Sequence, residues 1–272
     1  MKKGKLVLIT GASRGIGFQM VKQLSEMQLT VYALIRNSAK APELLELAKN
    51  RTNIKVLELD LSHTDLRKKI QNIFQDLDLN IDFLIHGAAR IVFGHIETIN
   101  EKELKDAFNT NFFSAVELTN FFLPYMRKRK QGHILFLNTT STFQHQEIYP
   151  AYSATKAALE SVAISLGRTL KSVPIHVTNV ILSATNTDIA ERSLEWGSAL
   201  DGEENPYKEQ AEKDLKILKH VLSQGESPQA VAEQVIKLMW NPTNQIRDVV
   251  TDRARKAVED HFMNPREKFC EN

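Results

Sequence analysis

Hydrophobic positions along the chain follow two alternating patterns. Short runs that are apolar at almost every position recur between longer segments whose apolar residues return with helical spacing. A strand that is apolar on both faces is typical of a parallel sheet covered by helices on each side. The pattern predicts strands at 6–10, 31–35, 54–59, 83–85, 134–137 and 175–182, with a late strand near 246–251.

The segments between these runs predict helices. Ser227 and Pro228 form a favourable N-cap and first-turn pair for the last of them. The predicted helices cover 15–28, 42–50, 63–77, 101–129, 151–171 and 228–240. Strand and helix therefore alternate, which indicates an α/β fold with a doubly wound parallel sheet and helices on both faces.

The organisation of the chain changes once, after residue 183. From there to 227 the sequence is polar, with isolated large apolar residues at Leu194, Trp196 and Tyr207 and a turn-like stretch at 201–206. No linker or repeat divides the chain. We therefore expect one domain over residues 1–272, with 183–227 as a substrate-binding flap inside it.

Charge and cysteine content restrict the partners and the compartment. The 272 residues include 35 Lys and Arg against 33 Asp and Glu, a formal net charge of +2. This balance does not favour nucleic acid or an anionic membrane as a partner. No apolar stretch approaches the roughly 18 residues of a membrane span. One cysteine allows no intrachain disulfide, so we expect a cytoplasmic protein.

A glycine-rich turn follows the first predicted strand and leads directly into the first helix. Gly11, Gly15 and Gly17 stand there with Ser13 and Ile16. A phosphate can approach backbone N–H groups at a helix N-terminus only where no side chain projects into the gap. We interpret the turn as the phosphate site of a dinucleotide; the alternative is a tight turn that only requires positive φ angles.

The end of the second strand indicates which dinucleotide binds. NAD-binding proteins place an acid there for the ribose 2′-hydroxyl, whereas this chain has Arg36, and Arg14 lies in the glycine turn. Two guanidinium groups can bind a 2′-phosphate, which favours NADP(H). Asp60, after the third strand, either accepts from the adenine amino group or caps a turn.

Tyr152 and Lys156 stand four residues apart at the start of a predicted helix. Positions i and i+4 share a helical face, so the ammonium can lie near the phenol oxygen. A free tyrosine has a pKa near 10, and an adjacent cation favours the phenolate. The pair therefore predicts an acid–base group whose pKa is lowered towards neutrality by the ammonium together with a cationic nicotinamide ring.

With these residues the chain resembles the short-chain dehydrogenase/reductases. TGASRGIG at 10–17 and YSATK at 152–156 carry the resemblance, which covers about residues 5–190. It implies a Rossmann-type sheet of about seven strands, Tyr152 as acid or base, Lys156 holding the nicotinamide ribose, and Asn111 in a proton relay. It further implies a homodimer or homotetramer and cofactor contacts at Leu61, Gly87, Ala88 and Thr187.

The family pattern is altered at three places. A serine usually lies 13 residues before the tyrosine; here that position is Thr139, and a small deletion would pass its role to Thr140 or Ser141. After the fourth strand the family usually has N-N-A-G, whereas this chain has HGAA at 86–89. We expect His86 to hydrogen-bond the backbone of a neighbouring strand. The usual proline and glycine after the sixth strand are replaced at 183–184.

These features predict an NADPH-dependent reductase that moves hydride between the cofactor and a carbonyl or alcohol, with no metal ion. Aromatic residues predict an apolar, bulky substrate. The later part of the chain loosely resembles hydroxysteroid and retinol dehydrogenases. The alternative is an NADP-binding sensor or scaffold protein that has lost turnover. The predicted substrate contacts are Phe93, Phe143, His145, Tyr149 and Trp196.

Overall fold

The computed structural model describes residues 4–63, 65–189, 194–198, 200, 205–243 and 245–263. Within these ranges the strands are β1 (Leu6–Thr10), β2 (Thr30–Ile35), β3 (Ile54–Glu58), β4 (Phe83–His86), β5 (Ile91–Phe93), β6 (Gly132–Thr139), β7 (Ile175–Leu182), β8 (Leu194–Trp196) and β9 (Arg247–Val249).

Seven of these strands form one parallel sheet in the order β3-β2-β1-β4-β6-β7-β9. The chain runs outwards from β1 to β3, returns to β4 beside β1, and then runs outwards in the other direction. Such a reversal opens a crevice at the carboxyl ends of the strands on either side of it. The Rossmann-type doubly wound sheet expected from the sequence is confirmed.

The helices that surround the sheet arise from the segments with helical spacing. The structure gives them as α1 (Gly15–Glu26), α2 (Pro42–Lys49), α3 (Leu66–Phe74), α4 (Glu101–Phe108), α5 (Ser114–Arg129), α6 (Ser141–Gln144), α7 (Pro150–Thr169), α8 (Lys208–Ser223), α9 (Pro228–Trp240) and α10 (Asp252–Met263). In the part of the chain that the structure describes, no helix combines the length and the apolar content that a membrane span requires.

Two apolar layers bury the two faces of the sheet. Alternate residues of β1 point into opposite layers: Val7 and Ile9 into one, Leu6 and Leu8 into the other. Helices α1, α2 and α9 cover the first face, and α3, α5 and α7 cover the second. Because both faces are buried, the strands read as continuous apolar runs rather than as an alternating pattern.

The helix predicted over 101–129 is interrupted in the middle. A π-helical turn, Asn109–Phe113, joins α4 to α5. A capping box of Asn100 and Glu103 fixes the start of α4, and Lys130 in the left-handed region ends α5. Single π turns of this kind are frequent at functional sites, and this one carries Asn111.

The described part of segment 183–227 contains a strand and a helix that the sequence did not predict. Strand β8 pairs in parallel with β5, and α8 forms a 16-residue helix. Of the turn predicted at 201–206, residues 201–204 lie outside the described residues. Sequence reading missed α8 because most of its residues are polar, although Leu215, Leu218 and Leu222 have helical spacing. The single-domain organisation stays a prediction.

Candidate active site

The glycine turn packs tightly against the loop that follows β4. Gly11 has a φ of +72°, and a Cβ on it would lie 2.7 Å from the carbonyl oxygen of Gly87. A Cβ on Gly17 would collide with the carbonyl oxygen of Gly11. Thr10 fixes the contact, since its hydroxyl accepts from the N–H groups of Gly87 (3.0 Å) and Ala88 (3.1 Å). The close approach of these backbone segments therefore requires glycine at positions 11 and 17.

One cleft of about 870 Å³ opens along this glycine turn at the carboxyl ends of the strands. This volume lies within the range of ligand-binding clefts, roughly 300–1,000 Å³. Twelve residues predicted for the cofactor line it: Gly11, Ser13, Arg14, Gly15, Ile16, Gly17, Arg36, Asp60, Leu61, Gly87, Ala88 and Thr187. Tyr152, Lys156 and Thr139 line the same cleft. The structure thus brings together the two motifs, which are far apart in the sequence.

Two cations that line the cleft, Arg36 and Lys40, follow the end of β2. Arg36 is half-exposed, and its guanidinium is 3.9 Å from the carboxylate of Glu195 on β8. Glu195 also accepts a 2.6 Å hydrogen bond from Arg90. Lys40, which sequence reading did not select, lines the cleft as well. Lys40 stands four residues after Arg36, and this spacing could have identified it as a candidate from the sequence. It lines the cleft together with Arg14 and Arg36.

Asp60 lies at the cleft with one carboxylate oxygen engaged. That oxygen accepts from the backbone N–H (2.9 Å) and the hydroxyl (2.8 Å) of Ser62. Burial acts to raise the pKa of Asp60, but the bonds from Ser62 and the charges of His63 and Arg36 lower it overall. This local turn corresponds to the capping alternative for Asp60.

Lys156 is buried on α7 beneath the cleft. Its ammonium donates a 2.7 Å hydrogen bond to the carbonyl oxygen of Leu137 and lies 5.8 Å from the centre of the Tyr152 ring. Burial lowers the pKa of Lys156 to about 8. The bond to Leu137 holds the ammonium at the level of the β6 carboxyl end, facing the part of the cleft that also contains Tyr152.

The pKa of Tyr152 differs from the sequence prediction. Burial raises this pKa, and Tyr149 raises it further, while a hydrogen bond with the Thr139 hydroxyl opposes the shift. The lowering expected from Lys156 is absent because the ammonium is directed to the Leu137 carbonyl and burial dominates. Tyr152 is therefore a neutral phenol at neutral pH, the form that can donate a proton.

Thr139 is the hydroxyl residue that the structure places beside Tyr152. Its oxygen accepts from the N–H of Ser141 at 3.3 Å, and the Ser141 hydroxyl pairs with Tyr149. Thr140 is buried, and its N–H donates to the carbonyl of Leu182 at 2.9 Å. All three candidates line the cleft, and Thr139 is the one that contacts the Tyr152 phenol.

Asn111 is buried in the π turn rather than exposed in the cleft. Its side chain accepts from the N–H of Arg90 (2.7 Å) and donates to the Arg90 carbonyl (2.9 Å). It also donates to Thr155, whose hydroxyl donates to the carbonyl of Tyr152. The side chain of Asn111 thus ties together the π turn, the loop after β4 and the helix that carries Tyr152.

His86 at the end of β4 has a partner other than the one predicted. Its Nε2 bonds the side chain of Thr119 on α5 at 2.9 Å, where we expected the backbone of a neighbouring strand. The ring stacks on Phe136 with centroids 4.8 Å apart. Burial, together with the charge of Lys156, lowers the pKa of His86 to about 3, so the ring is neutral and packs as core.

Three of the five residues predicted to contact substrate do not line the cleft. Phe93 is fully buried in a small cluster with Leu200 and Ala211, because its strand β5 pairs with β8. Trp196 packs edge-on against Phe93 instead (5.3 Å), and Phe143 packs against His261 (4.9 Å). Tyr149 and His145 do line the cleft.

Part of the apolar lining of the cleft comes from segments that sequence reading did not assign to it. Helix α8 contributes four apolar residues, and they recur at helical spacing, which was the missed signal. The apolar lining residues from these segments are Ile148, Leu194, Ile217, Leu218, Val221, Leu222 and Ala257.

Comparison with known proteins agrees with this geometry. Residues 5–197 match the family model described as short chain dehydrogenase. The 3-ketodihydrosphingosine reductase of Bacteroides thetaiotaomicron is 27% identical over 236 residues, 86% of this chain and 83% of that protein. Retinol dehydrogenase 8 of Bos taurus is 27% identical over 272 residues, covering 96% and 86%. A short-chain dehydrogenase structure from Streptomyces avermitilis superposes with a TM-score of 0.82 at 24% identity, covering 97% and 94%. The chain belongs to the short-chain dehydrogenase family.

Proposed function

We propose that the protein is an NADPH-dependent oxidoreductase that acts on a carbonyl group, or the corresponding alcohol, of an apolar substrate. The observation that carries this proposal is the meeting of Tyr152, Thr139 and Lys156 in the cleft whose floor is the glycine turn. A neutral phenol, a hydroxyl and a buried ammonium in one cleft are the groups that carbonyl reduction needs.

The residues present fit a nicotinamide dinucleotide. The glycine turn leaves a floor without side chains at the N-terminus of α1, where a diphosphate is favoured. Arg14, Arg36 and Lys40 supply cations for a 2′-phosphate, and Thr187 lies 3.3 Å from where a Cβ on Gly15 would stand. When bound, the reduced cofactor would supply the hydride.

The chain's own residues handle the proton. In reduction, Tyr152 donates its phenol proton to the carbonyl oxygen, and the Thr139 hydroxyl donates a hydrogen bond to the same oxygen. The reverse oxidation requires Tyr152 as the phenolate to accept the proton of the alcohol, and burial disfavours this form. Lys156 holds its ammonium at the cleft floor, and Asn111 fixes the Tyr152 helix through Thr155.

Substrate chemistry follows from the lining that α8 provides. Ile217, Leu218 and Val221 give the outer cleft an apolar wall. Two relatives are named 3-ketodihydrosphingosine reductase and retinol dehydrogenase 8. The substrates in these names are apolar molecules, which is consistent with an apolar wall. We infer that the carbonyl belongs to a molecule with a hydrocarbon body.

NADPH oxidation against a panel of ketones, aldehydes, quinones and steroids tests the proposed function. We expect turnover with at least one apolar carbonyl compound, and faster oxidation of NADPH than of NADH. Tight binding of NADPH with no turnover of any compound would instead support a sensor or scaffold protein, the alternative motivated by the HGAA sequence and the changed 183–184 positions.

Replacing Arg36 with alanine tests the preference for NADPH. A charge-assisted contact with a phosphate contributes enough that we expect the Kd for NADPH to rise about 10- to 100-fold. The Kd for NADH should change much less, as measured by cofactor fluorescence titration. Arg67→Ala is the matched control, because Arg67 is an exposed arginine on α3 outside the cleft. Equal losses for both cofactors would show that Arg36 does not contact the 2′-phosphate.

A further inference from the structure

A carboxylate from β8 lies beside Arg36, the cation proposed to bind the 2′-phosphate of NADPH. Glu195 is the middle residue of β8, and one of its carboxylate oxygens is 3.9 Å from Nη1 of Arg36. Both residues line the cleft, and both side chains are partly exposed. The proposed function uses Arg36 and gives Glu195 no part.

Arg90 holds the Glu195 carboxylate in this position. Its guanidinium donates a 2.6 Å hydrogen bond to the other carboxylate oxygen of Glu195. The main chain of Arg90 is fixed in turn by the side chain of Asn111, which accepts from its N–H (2.7 Å) and donates to its carbonyl (2.9 Å). The pairing of β8 with β5 fixes the backbone of Glu195. Contacts other than the one with Arg36 therefore set the place of this carboxylate.

A phosphate bound to Arg36 would lie close to the Glu195 carboxylate. A charge-assisted hydrogen bond is about 2.7–2.9 Å long, so a phosphate oxygen bonded to Nη1 of Arg36 lies at most about 7 Å from the nearer Glu195 oxygen. This distance is shorter than the Debye length of about 8 Å at physiological ionic strength, so salt does not remove the repulsion between the two negative groups. Both groups also accept from the same guanidinium.

The same carboxylate does not oppose a cofactor that lacks the 2′-phosphate. NAD-binding proteins place an acid at the end of the second strand, where it accepts from the ribose 2′-hydroxyl. In this chain Arg36 follows the end of β2, and Glu195 brings a carboxylate beside it from β8. The guanidinium and the carboxylate therefore act in opposite directions on the choice of cofactor.

We propose that Glu195 is a specificity-determining residue, which competes with the 2′-phosphate for Arg36 and so narrows the preference for NADPH over NADH. This inference rests on the proposed function, since it needs Arg36 to contact the 2′-phosphate. Glu195→Gln is the informative change. It removes one negative charge beside Arg36, whatever charges the neighbours carry, and keeps a carbonyl oxygen that can accept from Arg90.

Fluorescence titrations with NADPH and NADH test the competition in four proteins: the unaltered enzyme, Glu195→Gln, Arg36→Ala and the double variant. Loss of one negative charge at this distance should lower the Kd for NADPH by about 3- to 10-fold in Glu195→Gln. The Kd for NADH should stay the same or rise. When Arg36 is already alanine, Glu195→Gln should lose most of its effect on NADPH, because the double variant isolates the interaction between the two residues.

Asp106→Asn is the matched control. Asp106 is the second carboxylate bound by Arg90 (3.1 Å) and lies outside the described lining of the cleft, so this variant should preserve the ratio of the two Kd values. An unchanged ratio in Glu195→Gln, or a gain that persists in full in the double variant, would overturn the competition. A selective loss of NADPH binding in Arg36→Ala would still leave the proposed function standing. Equal losses for both cofactors in Arg36→Ala would contradict the proposed NADPH preference itself.

Discussion

Replacing Tyr152 with phenylalanine is expected to lower kcat for carbonyl reduction by about 10³-fold or more, the contribution of a well-placed general acid. The phenylalanine ring preserves the packing against Tyr149 but has no proton to donate. Steady-state assays of NADPH oxidation measure the loss. Because the phenol proton is used on the substrate, the Kd for NADPH should change little, and a fluorescence titration of the same variant checks this.

The control for this prediction is Tyr125→Phe, which removes a tyrosine hydroxyl without touching the cleft. Thermal unfolding of both variants shows whether either change disturbs the fold. Retention of more than about a tenth of the activity by Tyr152→Phe would contradict the assignment of Tyr152 as proton donor, since general acids contribute at least about 10²-fold.

The second large effect is expected at Thr139. Thr139→Ala removes a preplaced hydrogen-bond donor to the developing oxyanion, and the loss of such a donor lowers kcat by about 10²-fold. Thr139→Ser keeps the hydroxyl and should recover most of the rate. Comparing kcat for the two variants separates the hydroxyl from the methyl group of the side chain.

Thr140→Val distinguishes the neighbouring hydroxyl. Valine has nearly the shape of threonine and lacks only the hydroxyl, so we expect kcat to stay within a few-fold of the unaltered enzyme. A collapse of kcat in Thr140→Val together with an active Thr139→Ala would move the carbonyl-binding role one residue along the chain.

The sheet could be predicted from the sequence because its strands are buried on both faces. The run 6–10 has no alternation that would leave a second interpretation open, and the bounds of β1 match the prediction. The flap could not be predicted in the same way. Strands β5 and β8 have three residues each and form through pairing with one another, a contact between distant segments that local patterning does not record.

The candidate site could also be predicted only in part. The glycine turn and the Tyr152–Lys156 pair are local motifs, and their occurrence together in a known family predicted that both belong to one site. The substrate contacts were chosen by residue type, and large aromatic residues such as Phe93 are equally suited to a core. The rise that burial causes in the pKa of Tyr152, and the bond of Lys156 to the Leu137 carbonyl, could not be predicted either, because both depend on tertiary structure.

The π turn between α4 and α5 sets the rotational phase of the whole segment. Ala107 and Met126 are both buried although 19 positions separate them, which is about 5.3 turns of an α-helix. One residue absorbed by the π turn reduces this to about five complete turns, so both residues return to the same side. Deleting one residue from Asn109–Phe113 would rotate the two halves by about 100° relative to each other. Asn111 and the apolar face of α5 could then no longer meet their partners at the same time.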